Sequence, residues 1–509
     1  MKRITVKIAG PAGMGIKSAG LLLASMVIDE GYCFSDYSEY PSLVRGGHNS
    51  YQITISTDEV FMVDKKADIL VSLATGHEED SKNLLDIPLS TMTAQMGGQI
   101  FANTISLGAL CWILDLNKEK TIKQVEKQYG IGSRNNEAFE KGYQWASINS
   151  QKVELEKASN KNNINSISDG NEAMAWGLIK GGCNFFAAYP MTPVTGVLHF
   201  LAKNQDEFKI KVYHPEDEIA VASMATGASI AGARSAVATS GGGFALMTET
   251  ISLNGMLGTG VVYIMGQRPG PATGMPTWTA QGDLLFTVFS GHGEFPKVVL
   301  APGNTEECFE LSQKAMNVAN KYDIPVIVLS DKMLCEGARS VRDFSSEENK
   351  IFESKKIIPG KGIYLYNSYE HDNEGFSTEE AETAKKGVEK RIEKIEEILK
   401  YENEIYNFLG NNKANTLIVS WGSTKGAILE AIRGNNKMAY LQIKMLWPIN
   451  KDLEKIINSF KTKILIENNA TAQLGRLLKS EMNIEFDKTI LKYDGRPFFP
   501  DELRMELKI

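Results

Sequence analysis

The pattern that most constrains the fold is a regular alternation of short β-rich runs with helical patterns over residues 169–342. Apolar residues recur at helical spacing between the strand-like runs, which lie at 185–189, 235–239, 261–265 and 326–329. Alternation of this kind predicts a parallel sheet flanked by helices. In such sheets ligands bind beyond the carboxyl ends of the strands, so the residues after each run are the first candidates for a functional site.

The rest of the chain divides into two further α/β regions and two connecting segments. Residues 1–155 begin with a strand, a glycine turn at 10–15 and a helical pattern. Residues 414–509 also show strand, glycine-containing turn and helix. Segment 156–168 is rich in Asn and Ser and indicates a linker, whereas 343–413 is charged and contains one amphipathic helix. We therefore predict an α/β protein with three α/β domains, at 1–155, 169–342 and 414–509.

Composition excludes several classes of function. The formal net charge is −7 and the 55 basic residues are scattered, so nothing predicts a nucleic-acid partner. The five cysteines are too far apart for a Cys-x-x-Cys pair or the clustered thiolates of an iron–sulfur site. No apolar run is long enough to span a bilayer, and the first residues do not form a signal peptide. We expect a cytoplasmic protein with reduced cysteines, no metal of its own and no membrane contact.

Two loops of the 169–342 region combine polar groups with unusual backbone features. In Tyr189-Pro-Met-Thr-Pro-Val-Thr195, two prolines fix the backbone and would hold the hydroxyls of Thr192 and Thr195 toward the crevice. Such hydroxyls can orient a small carboxylate or carbonyl, but a threonine that caps the next helix explains the same pattern. In His214-Pro-Glu-Asp-Glu218, acids begin a helix, which is common because the helix dipole favours them. The small residues that follow are the stronger signal, since they let a flat ligand approach closely.

Two more loops follow the next strands. The run Ser240-Gly-Gly-Gly243 would expose N–H groups to a ligand, although a plain turn explains it equally well. It lacks the Gly-Lys-Ser/Thr sequence of a Walker loop, so nucleotide binding is not predicted. Arg268 lies in a loop rich in proline and glycine, which suits bidentate capture of a substrate carboxylate. An isolated arginine is more often a solvated surface charge.

In the order in which they occur, these loops resemble a known family. YPMTPVT, PEDEIAVASMATGASIAG, TSGGGFALMTE and GQRPGPATG resemble the pyrimidine-binding domain of 2-oxoacid:ferredoxin oxidoreductase α subunits. GPAGMG and YPSLVRGGH, both in the first region, resemble the Rossmann-like γ domain of the same family. SWGSTKGAILEA, LWPI and IENNATAQLGRLL resemble its transketolase C-terminal-like domain. The resemblance implies an α subunit with a fused γ domain, and it covers nearly the whole chain except 343–413.

The resemblance also implies roles for individual residues. In this family a partner β chain holds thiamine diphosphate, its Mg²⁺ ion and at least one [4Fe–4S] cluster, and the α chain lends a glutamate to the aminopyrimidine ring. Glu218 matches that glutamate, Thr192 matches a substrate-contacting threonine, and Arg268 matches the arginine that binds the 2-oxoacid carboxylate. Gly242 departs from the family, because many relatives carry proline there. The further candidates are Tyr189 and Thr195 for the substrate and Ser240, Gly241, Gly242 and Gly243 for the cofactor.

The implied reaction is the oxidative decarboxylation of a 2-oxoacid to acyl-CoA and CO₂. The substrate would be 2-oxoglutarate or a broader set that includes pyruvate, with coenzyme A as co-substrate and ferredoxin as electron acceptor. The implied assembly is a heterotetramer of two α and two β chains. We expect the isolated chain to be inactive and to bind thiamine diphosphate poorly, because the redox centres lie on the partner.

Two alternatives stay open at this stage. The first strand, the glycine turn and Asp36 resemble a dinucleotide site of an NAD(P)-dependent dehydrogenase, although the spacing is G-x-x-G-x-G rather than G-x-G-x-x-G. A non-catalytic scaffold descended from such enzymes is the other alternative, for which retention of Glu218, Thr192 and Arg268 would be unexpected. Arg45 and His48 are either functional residues or parts of a structural turn.

Overall fold

The computed structural model describes residues 2–42, 47–74, 81–158, 164, 166–352, 357, 359–362, 366–402 and 406–509. These residues form two seven-stranded sheets, one five-stranded sheet and a two-stranded ribbon. Helices pack against the three larger sheets, which confirms the predicted α/β class. Within the described ranges, no helix is long and apolar enough to cross a membrane.

The elements are numbered in chain order. The strands are β1 (Arg3–Pro11), β2 (Cys33–Glu39), β3 (His48–Ser56), β4 (Ala67–Ser72), β5 (Ser81–Leu84), β6 (Ser166–Asp169), β7 (Phe185–Ala188), β8 (Lys211–Tyr213), β9 (Ser235–Ser240), β10 (Val261–Gln267), β11 (Val298–Leu300), β12 (Val326–Asp331), β13 (Ala338–Val341), β14 (Glu370–His371), β15 (Ser377–Thr378), β16 (Tyr406–Gly410), β17 (Thr416–Ser420), β18 (Met438–Ile443), β19 (Met445–Trp447), β20 (Thr462–Glu467) and β21 (Lys488–Leu491).

The helices are α1 (Ile16–Asp29), α2 (Leu89–Met96), α3 (Ala102–Ile113), α4 (Lys118–Tyr129), α5 (Arg134–Asn149), α6 (Gly170–Lys180), α7 (Thr195–Phe208), α8 (Glu218–Ile230), α9 (Gly241–Leu257), α10 (Leu284–Phe289), α11 (Thr305–Tyr322), α12 (Lys332–Glu336), α13 (Ala381–Tyr401), α14 (Thr424–Ala431), α15 (Asp452–Asn458), α16 (Gln473–Met482) and α17 (Pro500–Leu507). Short 3₁₀ turns lie at Gln99–Phe101 and Phe344–Ser346.

The first sheet extends beyond the first region of the chain. Its strand order is β5-β4-β1-β3-β2-β13-β6, with β1 parallel to β4 and antiparallel to β3. Strand β13 joins the sheet beside β2 and pairs with β6 along its other edge. Residues 166–168, which the sequence assigns to a linker, are therefore part of β6, because a strand from far along the chain supplies their hydrogen-bond partners. The rest of that predicted linker lies partly outside the described residues.

The first region does not have the geometry of a dinucleotide site. Asp36 lies inside β2 and is buried, where its carboxylate accepts hydrogen bonds from the Tyr51 hydroxyl (2.6 Å) and the Ala338 amide (2.7 Å). Burial raises the pKa of Asp36 to about 7. A ribose-binding acid needs free carboxylate oxygens at a strand end. The geometry thus contradicts the dehydrogenase alternative.

The second sheet is the parallel sheet that the alternating pattern predicts. Its order is β19-β11-β12-β10-β9-β7-β8, and the neighbouring strands run parallel except for β19, which is antiparallel to β11. Its central strands are buried on both faces, as in sheets covered by helices on both sides. Because β7, β9 and β10 are neighbours with a common direction, the loops that follow them meet at one edge of the sheet.

The third sheet has the order β16-β18-β17-β20-β21, with only β16 antiparallel among its described strands. Strand β19, which directly follows β18, leaves this sheet and pairs with the second one. The amphipathic pattern before it forms the single helix α13, whose Ile398 is buried in the core of the second sheet. The second region, with the residues just before it, therefore contributes β6 and β13 to the first sheet, and the third region contributes β19 to the second sheet.

A buried ion pair joins the second and third sheets. Lys425 Nζ of α14 lies 2.6 Å from Glu307 Oε1 of α11, and these side chains are 8% and 5% exposed. The other donors to the Glu307 carboxylate are the Gly303 amide and the side chains of Gln442 and Asn407. Burial alone would raise the pKa of Glu307, but Lys425 and the other donors hold it below its ordinary value. The carboxylate is therefore charged and fully partnered.

Replacing Lys425 by Met should destabilise the fold by about 3 to 5 kcal/mol at neutral pH, because it leaves a buried carboxylate without its cation. The free energy of unfolding from urea titration measures this loss. Lys455→Met is the matched control, since its ion pair with Asp452 is exposed (85% and 69%) and should be worth less than about 1 kcal/mol. Equal losses from both changes would contradict the role given to the buried pair.

Candidate active site

Glu218 is the buried acid of the site. It is the first residue of α8, and the preceding Asp217 caps that helix by accepting a hydrogen bond from the Ala220 amide (2.8 Å). Only 7% of Glu218 is exposed, whereas Glu216, two residues earlier, is exposed. The structure thus separates acids that local sequence alone leaves equivalent. The acid that matched the family motif is the buried one.

The glycine run is the first turn of α9 and not the loop that the sequence suggested. Ser240 is the N-cap residue, and Gly241, Gly242 and Gly243 are helical. A side chain on Gly243 would collide with Oγ1 of Thr239 and would lie 2.7 Å from Cγ and Oε1 of Glu218, and one on Gly241 would lie 2.7 Å from Oδ2 of Asp283. The missing side chains therefore leave the space in which two carboxylates approach this helix end. Carboxylates are also favoured there by the helix dipole.

Met191 connects the glycine run to the proline-rich loop after β7. Its sulfur accepts hydrogen bonds from the hydroxyls of Thr239 (3.6 Å) and Ser240 (3.5 Å). Its methyl group lies 3.9 Å from where a side chain on Gly242 would begin. Thioether sulfur is a weak acceptor, so the contact orients the loop without binding it strongly. The loops after β7 and β9 are thus packed against each other.

Arg268 and Thr192 meet at the same edge. Arg268, directly after β10, donates from Nη1 to the backbone carbonyl of Thr192 (3.0 Å). The guanidinium is half-buried, and burial lowers its pKa. In the described part of the chain no acidic side chain forms an ion pair with it. An arginine with unused donors and no counter-ion is suited to bind an anionic ligand.

Thr195 and Tyr189 occupy different sides of their loop. Thr195 begins α7 and lines a cleft of about 580 Å³ together with Thr192. The Tyr189 ring instead packs edge-on against His214, with ring centroids 5.9 Å apart. His48 is the first residue of β3, opposite Pro11. Arg45 lies outside the described residues.

The cleft lies between the first two regions of the chain. One wall is the glycine turn at 13–15 and the first turn of α1, and the other includes Thr192, Thr195 and Asn171. Oδ1 of Asn171 and Oγ of Ser38, both buried cleft-lining groups, have no hydrogen-bond partner among the described residues. The glycine motif at 10–15 indicated the wall formed by the glycine turn. The opposite wall comes from residues far away in the chain, so the sequence could not predict the cleft.

Asp283 is a site residue that the sequence analysis missed. Its carboxylate faces the start of α9, its backbone amide donates to Gln267 Oε1 (3.0 Å), and burial raises its pKa to about 6. Nothing in its local sequence indicates this position. It approaches the site only because the chain folds back from the Arg268 loop onto the glycine run.

Two substitutions that each add one methyl group test the packing of the glycine run. Gly243→Ala would force its new methyl group against the Thr239 hydroxyl and Glu218, so we expect a loss of stability and of activity in the assembled enzyme. Gly242→Ala meets nothing closer than 3.9 Å and should be neutral or stabilising by up to about 1 kcal/mol. Thermal unfolding and activity assays compare the two. The contact is disproved if Gly243→Ala is as well tolerated as Gly242→Ala.

The fold and the site together define a class of protein: an α/β chain that presents a buried glutamate and an uncompensated arginine at one sheet edge. The described residues include no group of three potential metal ligands. Residues 176–406 match the family described as pyruvate flavodoxin/ferredoxin oxidoreductase, thiamine diphosphate-binding. Residues 5–77 and 71–145 match the family described as pyruvate ferredoxin/flavodoxin oxidoreductase.

Individual relatives give the same result. The chain is 30% identical to the 2-oxoacid:ferredoxin oxidoreductase subunit alpha of a Sulfolobus species, in an alignment that covers 99% of this chain and 96% of that protein. It is 32% identical to the 2-oxoglutarate synthase subunit KorA of Methanocaldococcus jannaschii over 58% of this chain and 86% of the relative. The solved 2-oxoglutarate:ferredoxin oxidoreductase of Magnetococcus marinus superimposes with a TM-score of 0.92 at 26% identity, covering 100% of this chain and 99% of that one.

The chain belongs to the 2-oxoacid:ferredoxin oxidoreductase family, as an α subunit whose N-terminal region is γ-like. This confirms the resemblance found in the sequence. The family comprises enzymes, and oxidative decarboxylation of a 2-oxoacid to acyl-CoA is the activity that its members' names and the thiamine diphosphate-binding match support. A non-catalytic scaffold would not require Glu218, Thr192 and Arg268 to converge as they do.

Proposed function

We propose that this chain supplies the substrate-binding arginine and the cofactor-contacting glutamate of an enzyme that converts a 2-oxoacid and coenzyme A to acyl-CoA and CO₂, with reduction of ferredoxin. The observation that carries the proposal is that buried Glu218 and uncompensated Arg268 follow the parallel strands β8 and β10, and therefore both lie at the carboxyl edge of the second sheet. We infer that 2-oxoglutarate is among the substrates, because two relatives are named for it. Turnover of the assembled enzyme with a panel of 2-oxoacids tests this choice.

The surroundings of Glu218 fit the aminopyrimidine ring of thiamine diphosphate. The carboxylate lies beside Gly243 at the start of α9, where the absence of a side chain leaves room for it. Bound thiamine diphosphate supplies the nucleophilic carbon and the electron sink that decarboxylation requires. Glu218 would hydrogen-bond a ring nitrogen and share a proton with it, which is acid–base tuning by a positioned group. Arg268 would hold the substrate carboxylate while the Thr192 loop orients the ketone.

An apolar surface beside Glu218 is suited to a partner chain. Exposed apolar residues lie on α8, α9 and α10, and Phe286 of α10 packs edge-on against Phe244 of α9. Exposed large apolar residues that are grouped on neighbouring helices are typical of a protein interface. We propose that the β chain, with thiamine diphosphate and its Mg²⁺ ion, docks here. The exposed residues are Ile219 (51%), Met224 (37%), Leu246 (51%), Phe286 (38%) and Phe289 (62%).

The iron–sulfur cluster also belongs on the partner in this proposal. The five cysteines are buried and form no disulfide, and no group of three potential metal ligands occurs within the described ranges. Burial raises the pKa of the Cys111, Cys183, Cys308 and Cys335 thiols, which disfavours the thiolates that bind iron. We infer an assembly of two α and two β chains in the cytoplasm, with ferredoxin as the acceptor. The mass of the purified complex checks its stoichiometry.

The cleft beside Thr192 is our candidate for the coenzyme A site. It leads from the substrate loop to the N-terminus of α1, where free backbone amides and Lys17 favour phosphate groups. The unpartnered atoms of Asn171 and Ser38 could bind the amide-containing arm of the molecule. Glu39 and Glu336 also line the cleft, but the Glu336 carboxylate is already bound by the Tyr40 hydroxyl.

Glu218→Gln should lower turnover of the assembled enzyme by about 100-fold or more, because an amide cannot take up the proton that the carboxylate shares. Glu216→Gln is the matched control and should be tolerated, since that side chain is exposed. Reduction of a viologen dye in the presence of a 2-oxoacid and coenzyme A measures turnover, and titration with thiamine diphosphate measures cofactor affinity. Equal losses from both changes would mean that the wrong carboxylate has been chosen.

Arg268→Ala should raise the KM for the 2-oxoacid and lower kcat/KM, because the substrate carboxylate loses its charged partner. The loss of transition-state stabilisation calculated from kcat/KM should be about 2 to 4 kcal/mol. The KM for coenzyme A should stay unchanged, which distinguishes a local defect from a general one. Steady-state kinetics with each substrate varied in turn measure both constants. An unchanged KM for the 2-oxoacid would remove Arg268 from the substrate site.

A further inference from the structure

The loop that carries Arg268 is held at its far end by the third region of the chain. The loop runs from the end of β10 to Thr279, whose amide donates to the carbonyl of Gly495 (3.1 Å). Gly495 has a positive φ of 83° and lies so close to Met275 that a side chain there would come within 2.9 Å of the Met275 methyl carbon. The contact therefore favours glycine for its backbone conformation.

The strongest contact in this junction is a stack between Arg496 and Trp278. The guanidinium carbon of Arg496 lies 3.6 Å from the centre of the Trp278 ring. A planar guanidinium over an indole face at this distance combines cation–π attraction with close packing. Arg496 also donates from Nη1 to the Asp494 carbonyl (3.1 Å), so its own turn fixes its orientation.

The stack is connected to Arg268 through short hydrogen-bonded steps. The Trp278 amide donates to the Met275 carbonyl (3.2 Å), and the Met275 amide donates to the Pro269 carbonyl (3.0 Å). Pro269 is covalently joined to Arg268, whose Nη1 binds the Thr192 carbonyl at the other end. The arginine is therefore held between the substrate loop on one side and the third region on the other.

The turn that contributes Arg496 is itself anchored. The Asn468 side-chain amide donates to the carbonyls of Lys492 (2.9 Å) and Arg496 (3.1 Å). The backbone of Asn468 exchanges two hydrogen bonds with Gln281: the Gln281 amide donates to the Asn468 carbonyl (2.7 Å), and the Asn468 amide donates to Gln281 Oε1 (2.9 Å). Both sides of the stack are thus tied to the same residue at the end of β20.

We propose that Arg496 and Trp278 are positioning residues, which set the location of Arg268 and hence the affinity for the substrate carboxylate. The inference rests on the proposed role of Arg268 and gives the transketolase C-terminal-like region a specific part in substrate binding. Neither residue touches the substrate in this proposal. Loss of the stack would let the loop move, and a bidentate contact tolerates little displacement.

The test uses the assembled enzyme with Arg496→Ala. We expect the KM for the 2-oxoacid to rise about threefold to tenfold, the range that loss of one cation–π stack allows. The KM for coenzyme A and kcat should change by less than about twofold, because neither depends on the carboxylate contact. Arg134→Ala is the matched control, since its guanidinium lies over Phe101 at 5.2 Å, where α5 begins in the first region of the chain, and it should change neither KM.

A double-mutant cycle with Trp278→Leu separates positioning from general loss of stability. Each single change should raise the 2-oxoacid KM, and the double variant should raise it no further, because both remove the same contact. An unchanged 2-oxoacid KM in Arg496→Ala overturns the inference, as do equal rises in both KM values or additive effects in the double variant. If Arg268→Ala also leaves the 2-oxoacid KM unchanged, the proposed function of the site fails as well.

Discussion

The site depends on one close approach, that of the Glu218 carboxylate to the start of α9 at Gly243. A side chain at position 243 would overlap the Thr239 hydroxyl and the Glu218 side chain, so the approach of the acid depends on glycine there. A buried carboxylate is costly to desolvate, and the helix N-terminus beside it reduces that cost. The remaining features of the site, the Met191 contact, Asp283 and the Arg268 loop, are arranged around this helix end. In our proposal this buried acid is the group that contacts the cofactor.

The rigid surroundings of the site arise from strands exchanged between regions that are distant in sequence. Strands β6 and β13 extend the first sheet, and β19 extends the second. The buried Glu307–Lys425 pair adds a charged contact between the second and third sheets. These connections join the three regions of the chain, which carry the sheet edge with Glu218, the cleft and the Arg496 turn. An arginine on a glycine- and proline-rich loop can therefore be held in place by a residue from the far end of the chain.

Local sequence patterns predicted the elements of the fold well, because hydrophobic spacing reports burial directly. The strands of the second sheet, helices α11 and α13 and the parallel arrangement all follow from such patterns. Ordered motifs also selected Glu218, Thr192 and Arg268, which the structure brings to one sheet edge. The pattern around 214–218 could not show which acid is buried, and only the family motif distinguished them. The exchange of β6 and β13, the packing of Met191 and the position of Asp283 were missed, since each depends on contacts between residues far apart in the chain. The sequence left the glycine run open between a turn that exposes N–H groups to a ligand and a plain turn. In the structure these glycines form the first turn of α9, where side chains on Gly241 and Gly243 would meet close neighbours.

The most direct test of the account is an experimental structure of the assembled enzyme with thiamine diphosphate bound. The account predicts that a Glu218 carboxylate oxygen lies within about 3 Å of a nitrogen of the aminopyrimidine ring, in hydrogen-bonding geometry, with the cofactor's diphosphate held by the neighbouring chain. A structure in which Glu218 points away from that ring, or in which another acid of this chain contacts it, would contradict the central claim.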